Sequence, residues 1–165
     1  LQDCFDFLEN IYLQGGDMAN VRGCNLPDDL YYLIEKHVWA KPMGGGLVRV
    51  GITAVAAKLS GGKLAAITVK AKNIGQEVVQ GKSLATVESS KFVGPVPTPV
   101  TGVLLRANEK LATDPNLAVS DPYGEGWVAE MQASDWDGQK GTLATGAEGV
   151  AAYQAKLEAD NITCS

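Results

Sequence analysis

Histidine occurs once in these 165 residues and cysteine three times. No Cys-x-x-Cys pair and no Cys/His cluster is present, so the usual ligand sets of a zinc site are excluded and no metal is expected. No apolar run is long enough to cross a bilayer as a helix, and no membrane partner is expected. The net charge of -5 argues against nucleic acid, because nothing would neutralise its phosphates. No basic stretch followed by an apolar one marks a secretory signal, and a cytoplasmic protein is expected. Ser89 and Ser90 lack the Gly-x-Ser-x-Gly setting of a hydrolase nucleophile. Gly44-Gly45-Gly46 lacks the Lys-Ser/Thr of a phosphate loop. No catalytic residue emerges, and His37, far from any nucleophile, reads as structural.

What is present is a 45% hydrophobic chain with 19 glycines, enough for one compact domain rich in turns. Residues 1–17 look foreign. Glu9 to Gly15 fits the Glu-x-x-Tyr-x-Gln-Gly pattern of a viral protease site used to remove purification tags. This segment, with Cys4, reads as an expression-tag remnant, although a genuine N-terminal arm would show similar acidic and aromatic residues. Met18 then opens a single domain over 18–165, with a core over about 25–136 and a last helix over about 147–160. Cys24 and Cys164 stand at its two ends. Free thiols are the ordinary expectation for such a pair; a clip between the ends, or a redox-active pair, is the sharper one.

The chain is organised around Leu84 to Gly102. Leu84-Ala85-Thr86-Val87-Glu88 enters as an apolar, β-branched run, and Phe92-Val93-Gly94-Pro95-Val96-Pro97 leaves with prolines that forbid helix. Two strands joined at Ser89-Ser90-Lys91 follow, with the Lys91 amine projecting into water at the tip. A lysine at a turn is usually only a solvated charge. An exposed one at a hairpin tip is also what an acylating enzyme needs.

Elsewhere short strands alternate with turns. A strand is expected from Leu33 to Lys41, a turn over Lys41 to Gly46, and a strand from Leu47 to Ile52 that pairs back as a hairpin. Thr53 caps a short helix, Ala54 to Leu59, which Ser60-Gly61-Gly62 stops. Strands are expected over Leu64–Val69, Val103–Ala107 and Trp127–Met131, and a glycine-containing connection over Asp137–Gly146. Ala147 to Asp160 is helical, with Val150, Tyr153 and Leu157 on one face. The fold class that results is mainly β, a small barrel or sandwich with short helices and a C-terminal helix at the periphery.

Several motifs, in order, resemble the glycine cleavage H-protein family. Asn25 to Tyr32 resembles its opening, and Glu35-Lys36-His37-Val38-Trp39 its His-Glu-Trp-containing first strand, with Val38 in place of the Glu. Val50-Gly51-Ile52-Thr53 resembles its Val-Gly-Ile-Thr start of helix. Val87-Glu88-Ser89-Ser90-Lys91 resembles its Val-Glu-Ser-Val-Lys lipoylation site, and Asp121-Pro122-Tyr123-Gly124-Glu125-Gly126-Trp127 is the most specific match. The resemblance implies a barrel-sandwich hybrid of the lipoyl/biotinyl type and lipoate joined as an amide to Lys91. It also implies a carrier rather than an enzyme, served by a lipoate ligase or lipoyl transferase and by dihydrolipoamide dehydrogenase. The arm would reach on the order of a dozen Å.

The departures from the family point to a pathway. Ser90 replaces an apolar residue, Phe92 and Val93 stand where small polar residues are usual, and Cys24 and Cys164 are added. These features resemble the lipoate-binding proteins of the bacterial heterodisulfide-reductase-like sulfur-oxidation system. The expected role is therefore a lipoyl arm on Lys91 that shuttles sulfur-bound intermediates for that complex. The alternatives are an H-protein carrying aminomethyl groups, or an unmodified binding or regulatory protein on the same fold.

Overall fold

A computed structural model of the chain describes residues 17–164. The expected tag lies almost wholly outside this range. Alternating runs give strands, as the period-two pattern requires. Twelve are described: β1 (Met18–Val21), β2 (Cys24–Pro27), β3 (Tyr31–Leu33), β4 (Val38–Gly44), β5 (Leu47–Ile52), β6 (Ala66–Val69), β7 (Glu77–Val78), β8 (Ser83–Glu88), β9 (Val93–Pro97), β10 (Gly102–Ala107), β11 (Ala129–Ala133) and β12 (Ala144–Thr145). Five short helices join them: α1 (Ala54–Leu59), α2 (Lys110–Thr113), α3 (Leu117–Ser120), α4 (Trp136–Gln139) and the 14-residue α5 (Gly146–Ala159). No helix among the described residues is long and apolar enough to cross a membrane.

A seven-stranded sheet, in the order β12-β3-β4-β5-β11-β10-β7, faces a three-stranded sheet, β6-β8-β9. Inward side chains of both fill one core. Val48, Val50 and Ile52 come from β5, Leu84 and Val87 from β8, Val96 from β9, and Leu104 and Met131 from β10 and β11. Their burial supplies the main stabilisation, at roughly 1.5–3 kcal/mol for each large side chain. Pro95 and Pro97 sit on β9, an edge strand, where a missing N–H breaks no central ladder and discourages pairing with other chains.

A second core lies outside the large sheet. The β1–β2 ribbon, Tyr32, Trp39 and Val55 pack there against Tyr153 and Leu157 of α5. The Trp39 indole N–H donates to the carbonyls of Ile52 and Pro122, both at 3.0 Å. Tyr123 accepts from the Ala54 N–H and donates to the Asn25 carbonyl. The Asp121–Trp127 motif therefore locks this core, since Asp121 also accepts from Glu125 N at 2.9 Å. Trp127 lies beneath the Arg49 and Arg106 guanidinium groups, both of which donate to Glu130.

Four local expectations are corrected. The turn expected over Lys41–Gly46 shrinks to Gly45-Gly46, because β4 stays paired with β5 as far as Gly44. The strand expected over Leu33–Lys41 is broken by a helical turn at Ile34–Lys36, and His37 adopts the left-handed conformation (φ 57°). Its N–H closes that turn on Ile34 O, which the polar/apolar alternation concealed. The connection expected over Asp137–Gly146 contains most of α4, a helical turn at Lys140–Thr142, and β12, which pairs with β3. Cys24 and Cys164 are not free thiols. They form a disulfide, with Cα atoms 5.0 Å apart and a separation of 140 positions in sequence.

Candidate functional site

The hairpin of β8 and β9 is paired from Ser83↔Pro97 to Glu88↔Val93. Ser89 closes its tip. The backbone N–H of Ser89 donates to Phe92 O at 2.8 Å. The Ser89 hydroxyl accepts from Lys91 N at 3.3 Å and from Phe92 N at 3.1 Å. A serine that satisfies the amides two and three residues on is a side-chain-closed turn. Sequence reasoning placed Ser89 in the turn and in the motif but weighed its hydroxyl only as a nucleophile and missed this role; its place two residues before the apex was the available signal.

Lys91 is exposed at this tip, and its amine has no ion-pair or hydrogen-bond partner among the described residues. Glu88 is exposed as well and does not pair with it. The aliphatic stem of Lys91 runs past Gly61, where an added Cβ would stand 3.2 Å from Lys91 Cδ; at φ +87° that position favours glycine in any case. Phe92 is 48% exposed, and its ring lies over Gly94, whose missing Cβ makes the room. The residue both packs at the tip and shows half its surface to solvent. Val93 is 66% exposed.

Beside the lysine opens a cleft of about 320 Å³, lined by His37, Ile52, Ala56, Leu59, Phe92 and Val96 among others. Thr53 positions its helical wall. The expected cap is present, with Thr53 Oγ1 accepting from Ala56 N at 3.4 Å. The same hydroxyl lies 2.9 Å from Tyr153 Oη, which also meets His37 Nδ1 at 2.6 Å. Burial, and then the Lys156 charge, hold the His37 imidazole below its usual range, against the opposing pull of Asp160 and Glu35. His37 is thus a neutral ring fixed in the cleft wall. Burial pushes the Tyr153 phenol up, so it stays protonated. No group of three or more metal-ligating side chains occurs among the described residues.

Two antiparallel sheets closed over one core, with a lysine-tipped hairpin at one end, define a barrel-sandwich hybrid, the carrier type of fold. Within that class the chain belongs to the glycine cleavage H-protein family, whose sequence model matches residues 30–156. It is 39% identical over 143 residues to glycine cleavage system H protein 2 of Aquifex aeolicus, covering 87% of each chain. It is 37% identical to H protein 5 of the same organism over 151 residues, 89% of this chain and 99% of that one. The crystal structure of a glycine cleavage system H protein from Mycobacterium marinum superposes with a TM-score of 0.66 at 31% identity, over 81% of this chain and 99% of that one.

Glycine cleavage H-proteins carry a covalently attached lipoate on a lysine and are carriers rather than catalysts. The residues present here suit such a group. An unpaired amine stands at a stiff tip, and a largely apolar cleft beside it matches an aliphatic arm.

Proposed function

We propose that Lys91 is the lipoyl attachment site and that the protein carries aminomethyl groups between enzymes of glycine cleavage. The observation that carries this reading is the Lys91 amine, exposed and unpaired at a turn closed by Ser89. Family membership supports the cargo. When bound as an amide on Lys91 Nζ, lipoate supplies a dithiolane for thiol-based group transfer. The chain's own part is mechanical. The paired strands and the edge prolines keep the tip stiff, and the stem of Lys91 runs past Gly61 and lines the cleft. Leu59, Ile52 and Val96 offer an apolar surface that excludes water from whatever rests there. A lipoate ligase or lipoyl transferase loads the lysine, and dihydrolipoamide dehydrogenase reoxidises the arm. Tethering raises the local concentration of cargo at each partner.

A second reading, the sulfur cargo of a heterodisulfide-reductase-like complex, is favoured by one feature of the tip. Phe92 and Val93 leave an exposed apolar rim around the lysine. The likeness to two differently numbered H proteins of one organism is consistent with a division of labour among such carriers.

Incubation with a lipoate ligase and lipoate tests the attachment by intact mass. The adduct is expected on Lys91. Lys91→Arg abolishes it while changing stability by no more than about 0.5 kcal/mol. An adduct on another lysine, or none, rejects the site. Exchange of labelled bicarbonate into glycine, driven by glycine decarboxylase with the loaded protein, separates the cargoes. Full activity supports the aminomethyl reading, and an inert but lipoylated protein supports the sulfur one.

A further inference from the structure

The C-terminal tail is held by hydrogen bonds, by the packing of Ile162 against the second core and by one covalent bond. Beyond α5, the Arg22 guanidinium donates to Ile162 O at 2.7 Å, and Cys164 N donates to Arg22 O at 2.9 Å. The Thr163 hydroxyl donates to the same Arg22 carbonyl at 2.8 Å. Arg22 and Thr163 are exposed, where such bonds exchange readily with water. The Cys24–Cys164 disulfide is the covalent bond that ties this tail to β2, beside the packing of Ile162 against the second core and its N–H bond to Leu157 O at 2.8 Å.

The tail matters because of what α5 holds. Its Tyr153 and Leu157 share the second core with Cys24 and Val55. Tyr153 bridges His37 and Thr53, one in the wall of the cleft and the other the cap of the helix that forms the rest of that wall. Lys156 ties the same helix to Glu35, two residues before His37, at 3.1 Å, while pairing with Asp160 at 2.9 Å. The charged groups facing His37 are therefore Lys156 of α5, Asp160 at the end of that helix and Glu35 of its own turn. Cys164 Sγ lies 3.9 Å from the Ala54 carbonyl, at the start of α1. A continuous path of contacts runs from the disulfide through α5 to the cleft.

We propose that the Cys24–Cys164 disulfide is a reducible clasp that fixes the wall of the cleft beside Lys91. Closed, it pins the tail and α5. Opened by a dithiol, it frees the tail, and the Tyr153 bridge to His37 and Thr53 loosens. Cys24 is fully buried and Cys164 half-buried, so a thiolate attacks Cys164 Sγ. The S–S bond breaks, Cys24 leaves as a thiolate and takes a proton, and a mixed disulfide forms. The second thiol of the reductant then displaces Cys164, so the dithiol is oxidised by two electrons and the protein gains two thiols. The apolar surroundings of Cys24 make it a reluctant leaving group, so the clasp yields to dithiols before monothiols.

The clasp's consequence for the arm rests on the carrier reading of the cleft, but its test does not. Full-length, unlipoylated protein is oxidised with glutathione disulfide and compared before and after dithiothreitol, with Cys164→Ser as the genetic counterpart. Reduction and Cys164→Ser should each raise amide exchange in the C-terminal half of α5 about tenfold or more. Both should also shift the His37 ring resonances. Tyr153→Phe should shift those resonances with the disulfide intact. Unchanged exchange and unchanged His37 signals in fully reduced protein overturn the inference, as does failure of the oxidised sample to form the disulfide by alkylation and intact mass. Absence of a lipoyl adduct on Lys91 would remove the carrier reading and leave these results standing.

Discussion

The turn that presents Lys91 closes between Ser89 and Phe92, three positions apart, whereas the contact that fixes the cleft wall joins His37 to Tyr153, 116 positions apart. The first region is exposed and held by its own backbone and one serine hydroxyl. The second is buried and needs the whole chain folded before any of its bonds exist. A carrier gains from this division. The attachment point must be reachable by several enzymes and insensitive to the rest of the fold. The surface against which an arm rests can instead be tuned from a distance.

The contrast is broken most severely at Tyr153, which is wholly buried. Tyr153→Ala leaves a cavity and strips His37 and Thr53 of their partner, at a cost of about 3–5 kcal/mol. Thermal unfolding should show this as a fall in Tm of roughly 10 °C. Lipoylation of the folded fraction should persist; its loss would mean that tip and second core are not independent.

A smaller effect is expected at Glu130, which belongs to neither region. Burial alone would raise its carboxyl, but hydrogen bonds from Arg106 and Arg49 outweigh it and hold the group below its ordinary value of 4.5. A carboxylate depressed by folding stabilises fully above that ordinary value. The contribution fades as pH falls through the lowered folded-state value. Glu130→Gln should cost about 1–2 kcal/mol at pH 7 and should flatten the acid limb of stability against pH below about 4.5. Urea unfolding at a series of pH values checks both, and an unaltered acid limb would assign it to other carboxylates.

The smallest loss of stability is expected at the tip. Ser89→Ala removes the acceptor for two turn amides and should cost about 1 kcal/mol or less. Its mark should be local, with faster amide exchange at Lys91 and Phe92 and none at α5. Exchange spreading to the second core would erase the distinction between the two regions.

How far each region could be read in advance follows from the range of its interactions. The Lys91 hairpin and the Thr53 cap are set by neighbours in sequence, and both stand where the residues put them, whereas the turn before β5 is tighter than the residues suggested, at Gly45-Gly46. The left-handed turn at His37 was hidden, because Lys36-His37-Val38-Trp39 alternates like a strand and only the Ile34 carbonyl reveals otherwise. β12 is two residues long and carries no periodicity of its own. The Asp121–Trp127 motif was legible as a family mark but not as the structural lock it forms around Trp39.

By itself, then, the order of residues determined the alternation that builds the sheets, the prolines that stiffen the returning strand, and the lysine at the apex between them. These depend on local geometry and on which side chains avoid water. Only the tertiary structure decided that the two cysteines meet, that Tyr153 reaches both His37 and Thr53, and that a cleft opens beside Lys91. Each of those joins segments distant along the chain. Such contacts form only when burial of the two cores has already offset the entropy of bringing the segments together.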